Sequence, residues 1–137
     1  MDFTWLSRWQ PQLLAILRIV TALLFIEHGT VKLFSFPTPF EMPGPLPPML
    51  LAAAIIEVVA GALILIGLFT RLAAFIASGQ MAVAYWIAHA PQNFWPVANE
   101  GDAAILYCFI FLYLAAAGPG AWSIDRNRDS AVDSRRG

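Results

Sequence analysis

The sequence predicts an all-α fold, a four-helix transmembrane bundle with both termini cytoplasmic, and three observations carry that prediction. The 137-residue chain is 59% hydrophobic and 12% charged, with a mean hydropathy of +0.67, where an ordinary soluble domain carries roughly 25% charged residues. Its apolar residues gather into four stretches, 13–34, 48–69, 72–89 and 103–117, each near the ~20 residues that cross a ~30 Å hydrocarbon layer. Outside those stretches the basic residues are Arg8, Arg71, Arg126, Arg128, Arg135 and Arg136, while the two other connections hold Glu41 and Glu100 and no Lys or Arg. The positive-inside rule then places both termini and the turn at Arg71 in the cytoplasm.

Residues 1–12 read as a short interfacial segment, because Trp5, Trp9 and Pro11 suit the headgroup level. Nothing ahead of Leu13 has a small-residue cleavage site after a short apolar core, so the first apolar stretch is expected to be retained. A membrane domain spans 13–125. Within it, SFPTPFEMPGPLPP after the first stretch supplies six prolines and is expected to be a stiff external loop. Trp86, Phe94 and Trp95 mark the outer interface again. The fourth stretch is short and is expected to run from near Gly101 to Gly118, where GPGAWSID breaks the helix and plants Trp122 at the inner boundary. Residues 126–137 read as a polar, disordered tail. No internal repeat is evident.

Composition excludes several functions. A lone cysteine, Cys108, forms no CxxC pair, so dithiol chemistry by this chain alone is excluded and Cys108 reads as apolar filler. The basic tail is interleaved with Asp125, Asp129 and Asp133 and does not read as a nucleic-acid surface.

The polar groups inside the apolar stretches are informative because charge is costly in hydrocarbon. FIEHGTVKLF, residues 25–34, holds Glu27, His28 and Lys32 near the outer end of the first helix. Glu57 lies roughly 13 Å below the outer entry of the second helix at ~1.5 Å per residue. Tyr85 and His89 end the third, and Glu100 and Asp102 begin the fourth. Helical spacing puts His28 and Lys32 on one stripe and turns Glu27 about 100° away from His28. Ala53, Glu57 and Gly61 form a second stripe that admits another backbone, and Met81, Tyr85 and His89 a third, with Gln80 adjacent. These residues predict a pocket in the outer half, formed by His28, Lys32, Glu57, Tyr85 and His89, with Glu27, Gln80, Glu100 and Asp102 as secondary candidates. A Glu, a His and a Tyr around an apolar cavity can relay protons and hold a quinone headgroup or a small oxyanion. Two readings of Glu57 stay open: a structural acid paired with Lys32 or His28, or a ligand and proton contact. His89 at a helix end reads first as a capping or interfacial group. No fixed ligand spacing supports a metal site. Deeper on the inner side, Arg18 needs a carboxylate, and the nearest candidate is Asp125, which predicts an Arg18–Asp125 lock between the first and fourth helices.

The segments LLAILRIVTALLFIEHGTVKLF, AIIEVVAGALILIGLFTRLAA, MAVAYWIAH and AAILYCFIFLYLAAAGPGAWSID, taken together, resemble the DoxX family of small bacterial inner-membrane proteins. The likeness runs from Leu13 to Asp125 and rests on His28, Gly29 and Lys32, on Glu57, Gly61, Gly67, Leu68, Thr70 and Arg71, and on the GPG-W-S-D ending. It implies a four-helix membrane domain and membership of oxidoreductase systems, either as the small subunit of a thiosulfate:quinone oxidoreductase or in complexes that handle thiol and oxidative stress. The chain has no flavin, haem or iron–sulfur ligation pattern, so electrons would come from a partner or directly from substrate. The expected partners are membrane lipid, a quinone or small anionic substrate, other membrane or soluble proteins, and a second copy of the chain. Two alternatives are a non-catalytic protein that binds or transports a lipid or small molecule, for which four helices imply a homodimer, and a membrane anchor for a soluble enzyme.

Overall fold

A computed structural model describes residues 2–135. A 3-10 run, Thr4–Trp9, with Trp5 and Trp9 exposed, leads straight into α1, Gln10–Phe34. Pro11 sits in the first turn, where its missing N–H costs nothing. At 25 residues α1 is about 37 Å long. The proline-rich segment that follows has no regular structure as far as α2, Pro48–Ile66. That helix ends in a Schellman motif: Gly67 takes φ +70°, its N–H donates to Ile64 O, and Leu68 N–H donates to Leu63 O. The turn is so tight that α3, Thr70–Ala84, starts three residues later and continues as one π turn, Tyr85–His89. A single turn, α4 (Pro96–Asn99), precedes α5, Asp102–Ala117, which is flanked by Gly101 and Gly118 as the sequence predicts.

α1 packs along α2, α3 along α5, and α2 against α3 joins the two pairs. The core is built from small residues, Ala22, Ala60, Ala73, Ala74 and Ala77, with Phe25, Ile64, Met81, Phe111 and Leu114 filling between them. Helices that meet through alanine approach closely, which is how packing gains energy in lipid. α1 and α5 touch only lightly, through long rings: Phe25 stands edge-on to Phe111 at 4.7 Å and tilts against Tyr107 at 5.7 Å. Leu13, Ile16, Val20, Leu23, Ile55, Val59, Phe75, Leu106 and Phe109 all point outward. So continuous an apolar exterior belongs in hydrocarbon. Three helical segments, Thr4–Phe34, Pro48–Ile66 and Thr70–His89, are long and apolar enough to cross a membrane, and α5 is a shorter apolar helix beside them.

The tail departs from expectation. Where the sequence reads disorder from residue 126, a helix, α6, covers Ile124–Asp133, and residues 136 and 137 lie outside the described residues. Its cause is local: Ser123 Oγ accepts from Arg126 N–H at 3.3 Å, and Asp125 lies in the first turn beside the positive end of the helix dipole.

Candidate functional site

Gly29 of α1 lies against α2 so closely that a Cβ there would fall 2.7 Å from Val58 Cγ2 and 2.9 Å from Ala54 O. That approach carries the next turn of α1 across to α2. Lys32 Nζ reaches both oxygens of Glu57, at 2.7 Å to Oε1 and 2.6 Å to Oε2. Glu57 is 2% exposed and Lys32 18%. From α3, Gln80 Nε2 donates to Glu57 Oε1 at 3.2 Å. Three helices therefore converge on one carboxylate, and Glu57 pairs with Lys32.

His28 has a different environment. It is exposed, its Nδ1 is 2.8 Å from Leu24 O, and its ring stands edge-on to Tyr107 at 5.6 Å. Glu27, His28 and Lys32 together line an open cavity of about 390 Å³ under the proline-rich segment, with Pro37, Thr38 and Phe40 on the other wall. The azimuth that divides Glu27 from His28 does not put them in separate places. Both border this cavity, from which Lys32 reaches in to Glu57.

Tyr85 and His89 form a second cluster with no hydrogen bond to Glu57. His89 Nδ1 is 2.9 Å from Asn99 O. Asn99, buried at 1% exposure, donates from Nδ2 to Asn93 O at 2.9 Å and to Tyr85 Oη at 3.4 Å, and accepts Gly101 N–H at 2.8 Å. These bonds lock the α3–α5 connection onto the π turn. Glu100, at φ +57°, and Asp102, in the first turn of α5, both face outward. Asn99 escapes a reading that follows charge, although Asn two residues before a glycine is a known turn signal. Among the described residues no three His, Cys, Asp or Glu side chains converge as metal ligands do.

Between α2 and α3 a groove of about 360 Å³ opens on the lipid-facing side, walled by Met49, Leu50, Ile56, Ile76 and Val83. Gln80 is the one polar side chain among its lining residues. The row Lys32, Glu57, Gln80 thus runs from the cavity under the proline-rich segment to this groove.

At the opposite end the predicted Arg18–Asp125 lock takes a different form. Arg18 is fully buried and donates to Ile64 O (3.2 Å), Leu65 O (3.3 Å), Ala121 O (3.2 Å) and Trp122 O (2.9 Å). Asp125 instead accepts Phe69 N–H (2.9 Å), Thr70 N–H (2.8 Å) and the Thr70 hydroxyl (2.9 Å). Among the described residues the two form no ion pair. The first N–H groups of α3 lack helical partners, and a carboxylate at that positive end is doubly favoured. Burial pushes the Asp125 carboxyl up, but the bonds from Thr70 and Phe69 and the charge of Arg128 outweigh it and hold it below its usual range. A depressed carboxyl stabilises the fold above its unfolded value and stops doing so as pH falls through its folded one. Asp125→Ala is therefore expected to cost about 1–2 kcal/mol at neutral pH. The gap between the variant's and the parent's melting temperatures should begin to narrow below about pH 4, the ordinary carboxylate value, and close as pH falls through the lower folded value; a gap that stays constant from neutral pH through the whole acid range would refute the assignment.

The apolar helices define a helical membrane protein with a buried ion pair between two of them. A family model, DoxX, matches residues 13–90, and the chain belongs to the DoxX family. An uncharacterized protein of Haemophilus influenzae is 46% identical over 127 residues, covering 88% of this chain and 93% of its own. The inner membrane protein YphA of Escherichia coli is 37% identical over 134 residues, covering 85% and 91%. An uncharacterized membrane protein of Mycobacterium tuberculosis is 28% identical over 134 residues, covering 85% and 81%. No solved structure matches the chain.

Proposed function

We propose that this chain is the membrane subunit of a quinone-linked oxidoreductase system of the bacterial inner membrane, with both termini cytoplasmic and the proline-rich loop outside. One observation carries the reading: Glu57, buried, bonds at once to Lys32, which borders an open cavity together with Glu27 and His28, and to Gln80, which borders an apolar groove facing lipid. A lipid-soluble redox carrier needs an apolar approach and a proton path to water, and the row supplies both in three side chains. Electrons come from a partner protein or from a donor such as a thiol or thiosulfate. Lys32 offers its charge to an anionic donor at the cavity. The resemblance of the name YphA's bearer, an inner membrane protein, supports the location. Tyr85 and His89 hold the neighbouring loop and act on the site only through the end of α3.

The test is a photoreactive quinone analogue with the full chain in phospholipid nanodiscs. Labelling is expected on the α2 and α3 peptides that wall the groove, and an unlabelled quinone should compete it away. Labelling no greater than that of an unrelated helical membrane protein would overturn the reading. The same satisfied Lys32–Glu57 pair also suits a non-catalytic anchor for a soluble enzyme. On that reading the double replacement Lys32→Met with Glu57→Leu leaves cellular function intact, whereas the relay reading expects its loss.

A further inference from the structure

At the Arg18 end of the bundle an open cavity of about 460 Å³ lies between the start of α3 and α6. Arg71, Asp125, Arg128 and Asp129 line it, beside the exposed side chains of Phe69 and Leu72. Two positive charges thus face two negative ones, and no simple anion or cation is the natural complement. Part of this charge is already committed. Asp125 accepts Phe69 N–H, Thr70 N–H and the Thr70 hydroxyl. Arg71 Nη1 donates to Ala115 O and Ala116 O at the end of α5, which fixes the guanidinium and leaves Nη2 and Nε outside those bonds. Arg128 Cζ stands 5.8 Å from the centre of the Phe69 ring, a contact that uses the face of the guanidinium and leaves the N–H donors at its edge. Among the described residues neither Arg128 nor Asp129 belongs to an ion pair. The cavity therefore offers donors from two arginines and, from Asp129, one carboxylate acceptor.

Its surroundings say from where a ligand comes. Leu72 begins an exposed apolar row that continues through Phe75 and Ile76 along α3. Trp122, exposed at the same end, is the kind of ring that lies at the headgroup level. A molecule that lays acyl chains on this row brings its headgroup into the cavity. The headgroup that matches two guanidinium donors and a carboxylate carries both a phosphate and an ammonium with N–H groups to give.

We propose that this cavity is a headgroup site for phosphatidylethanolamine, with Arg71 and Arg128 donating to the lipid phosphate and Asp129 accepting from its primary ammonium. Phosphatidylglycerol supplies the phosphate but leaves Asp129 facing a second anion. Phosphatidylcholine supplies both charges, but its trimethylammonium has no N–H to donate. The bound headgroup joins α3 to α6 alongside Asp125. The site is separate from the Lys32–Glu57–Gln80 row and independent of the quinone-linked reading.

The experiment extracts the full chain in mild detergent from liposomes holding equal amounts of phosphatidylethanolamine, phosphatidylcholine and phosphatidylglycerol with identical acyl chains. Native mass spectrometry then counts which lipid stays bound. The parent is expected to retain phosphatidylethanolamine about threefold over either of the others, as one exposed charge-assisted hydrogen bond allows. Asp129→Asn should bring phosphatidylethanolamine down to the level of phosphatidylcholine. Arg128→Gln should lower all three by a similar factor and keep their ratio, because the phosphate is common to them. Both replaced residues are exposed on α6, so the melting temperatures should match the parent's. Equal retention of the three lipids by the parent, a preference for phosphatidylglycerol, or an unchanged preference in Asp129→Asn overturns the assignment. Water-soluble glycerophosphoethanolamine, added as competitor, should displace the lipid at least about tenfold less well than the intact lipid does. Equal displacement would make the ligand a soluble one and overturn the lipid site.

Discussion

Lys32→Met is expected to cost about 3–5 kcal/mol of folding stability, the usual loss when one member of a buried ion pair is removed. The variant leaves the Glu57 carboxylate, 2% exposed, with Gln80 Nε2 as its remaining donor. Glu57→Gln should cost less. Lys32 keeps 18% of its surface exposed and already borders the open cavity, so its ammonium can swing toward water when the carboxylate is gone. Replacing both, Lys32→Met with Glu57→Leu, removes two desolvated charges together, and such replacements are often neutral. Unfolding in mixed micelles should therefore rank the double variant within about 1 kcal/mol of the parent and above Lys32→Met, a positive coupling by double-mutant cycle. Strict additivity of the two single losses would mean that the pair does not hold α1 to α2.

Much of this site was legible in the sequence, and its gaps have identifiable physical causes. Hydropathy and charge bias mark the apolar helices, and rise per residue brings Lys32 and Glu57 to similar depth. Depth cannot choose between His28 and Lys32 as the partner of Glu57. Gly29 chooses, because the close approach it permits sets the rotation of α1 on α2. The third stripe misses Glu57 for a different reason. Tyr85 and His89 stay together, with their rings stacked at 6.4 Å, but they lie on a π turn with wider i→i+5 closure. The extra residue turns His89 toward Asn99 and away from Glu57. Asp125 was sought as the partner of a buried arginine, but unpaired N–H groups at the start of α3 attract it more strongly than a cation already surrounded by carbonyls. The tail was read from composition, which is polar, and not from its Ser123 cap, which starts a helix.

Arg18 should be the most sensitive position at the other end of the bundle. It is the largest fully buried side chain, and its two terminal nitrogens divide their bonds: Nη1 serves the last turn of α2 at Ile64 and Leu65, and Nη2 serves Ala121 and Trp122 after α5. One planar group thus ties α1 to two chain segments, and of the four carbonyls it meets only Ile64 O has a second donor, the Gly67 N–H. Gly67 keeps the space open, since a side chain there would meet both Arg18 Nη1 and Ser123, and it also supplies the positive φ that ends α2. Arg18→Met leaves up to three carbonyls, those of Leu65, Ala121 and Trp122, short of a donor, at on the order of 1–3 kcal/mol for each one that stays unsatisfied, so a loss of at least about 3 kcal/mol is expected. Arg18→Lys keeps the charge, but a single ammonium cannot span both pairs of oxygens as the guanidinium fork does, so it should fall between Arg18→Met and the parent. Hydrogen exchange localises the effect. In Arg18→Met the amides of residues 118–125 and the first turn of α3 should lose protection, while those around Lys32 and Glu57 keep theirs, because the two locks share no residue. A uniform loss along the chain would show that the bundle unfolds as one unit and that Arg18 does not fasten this end separately.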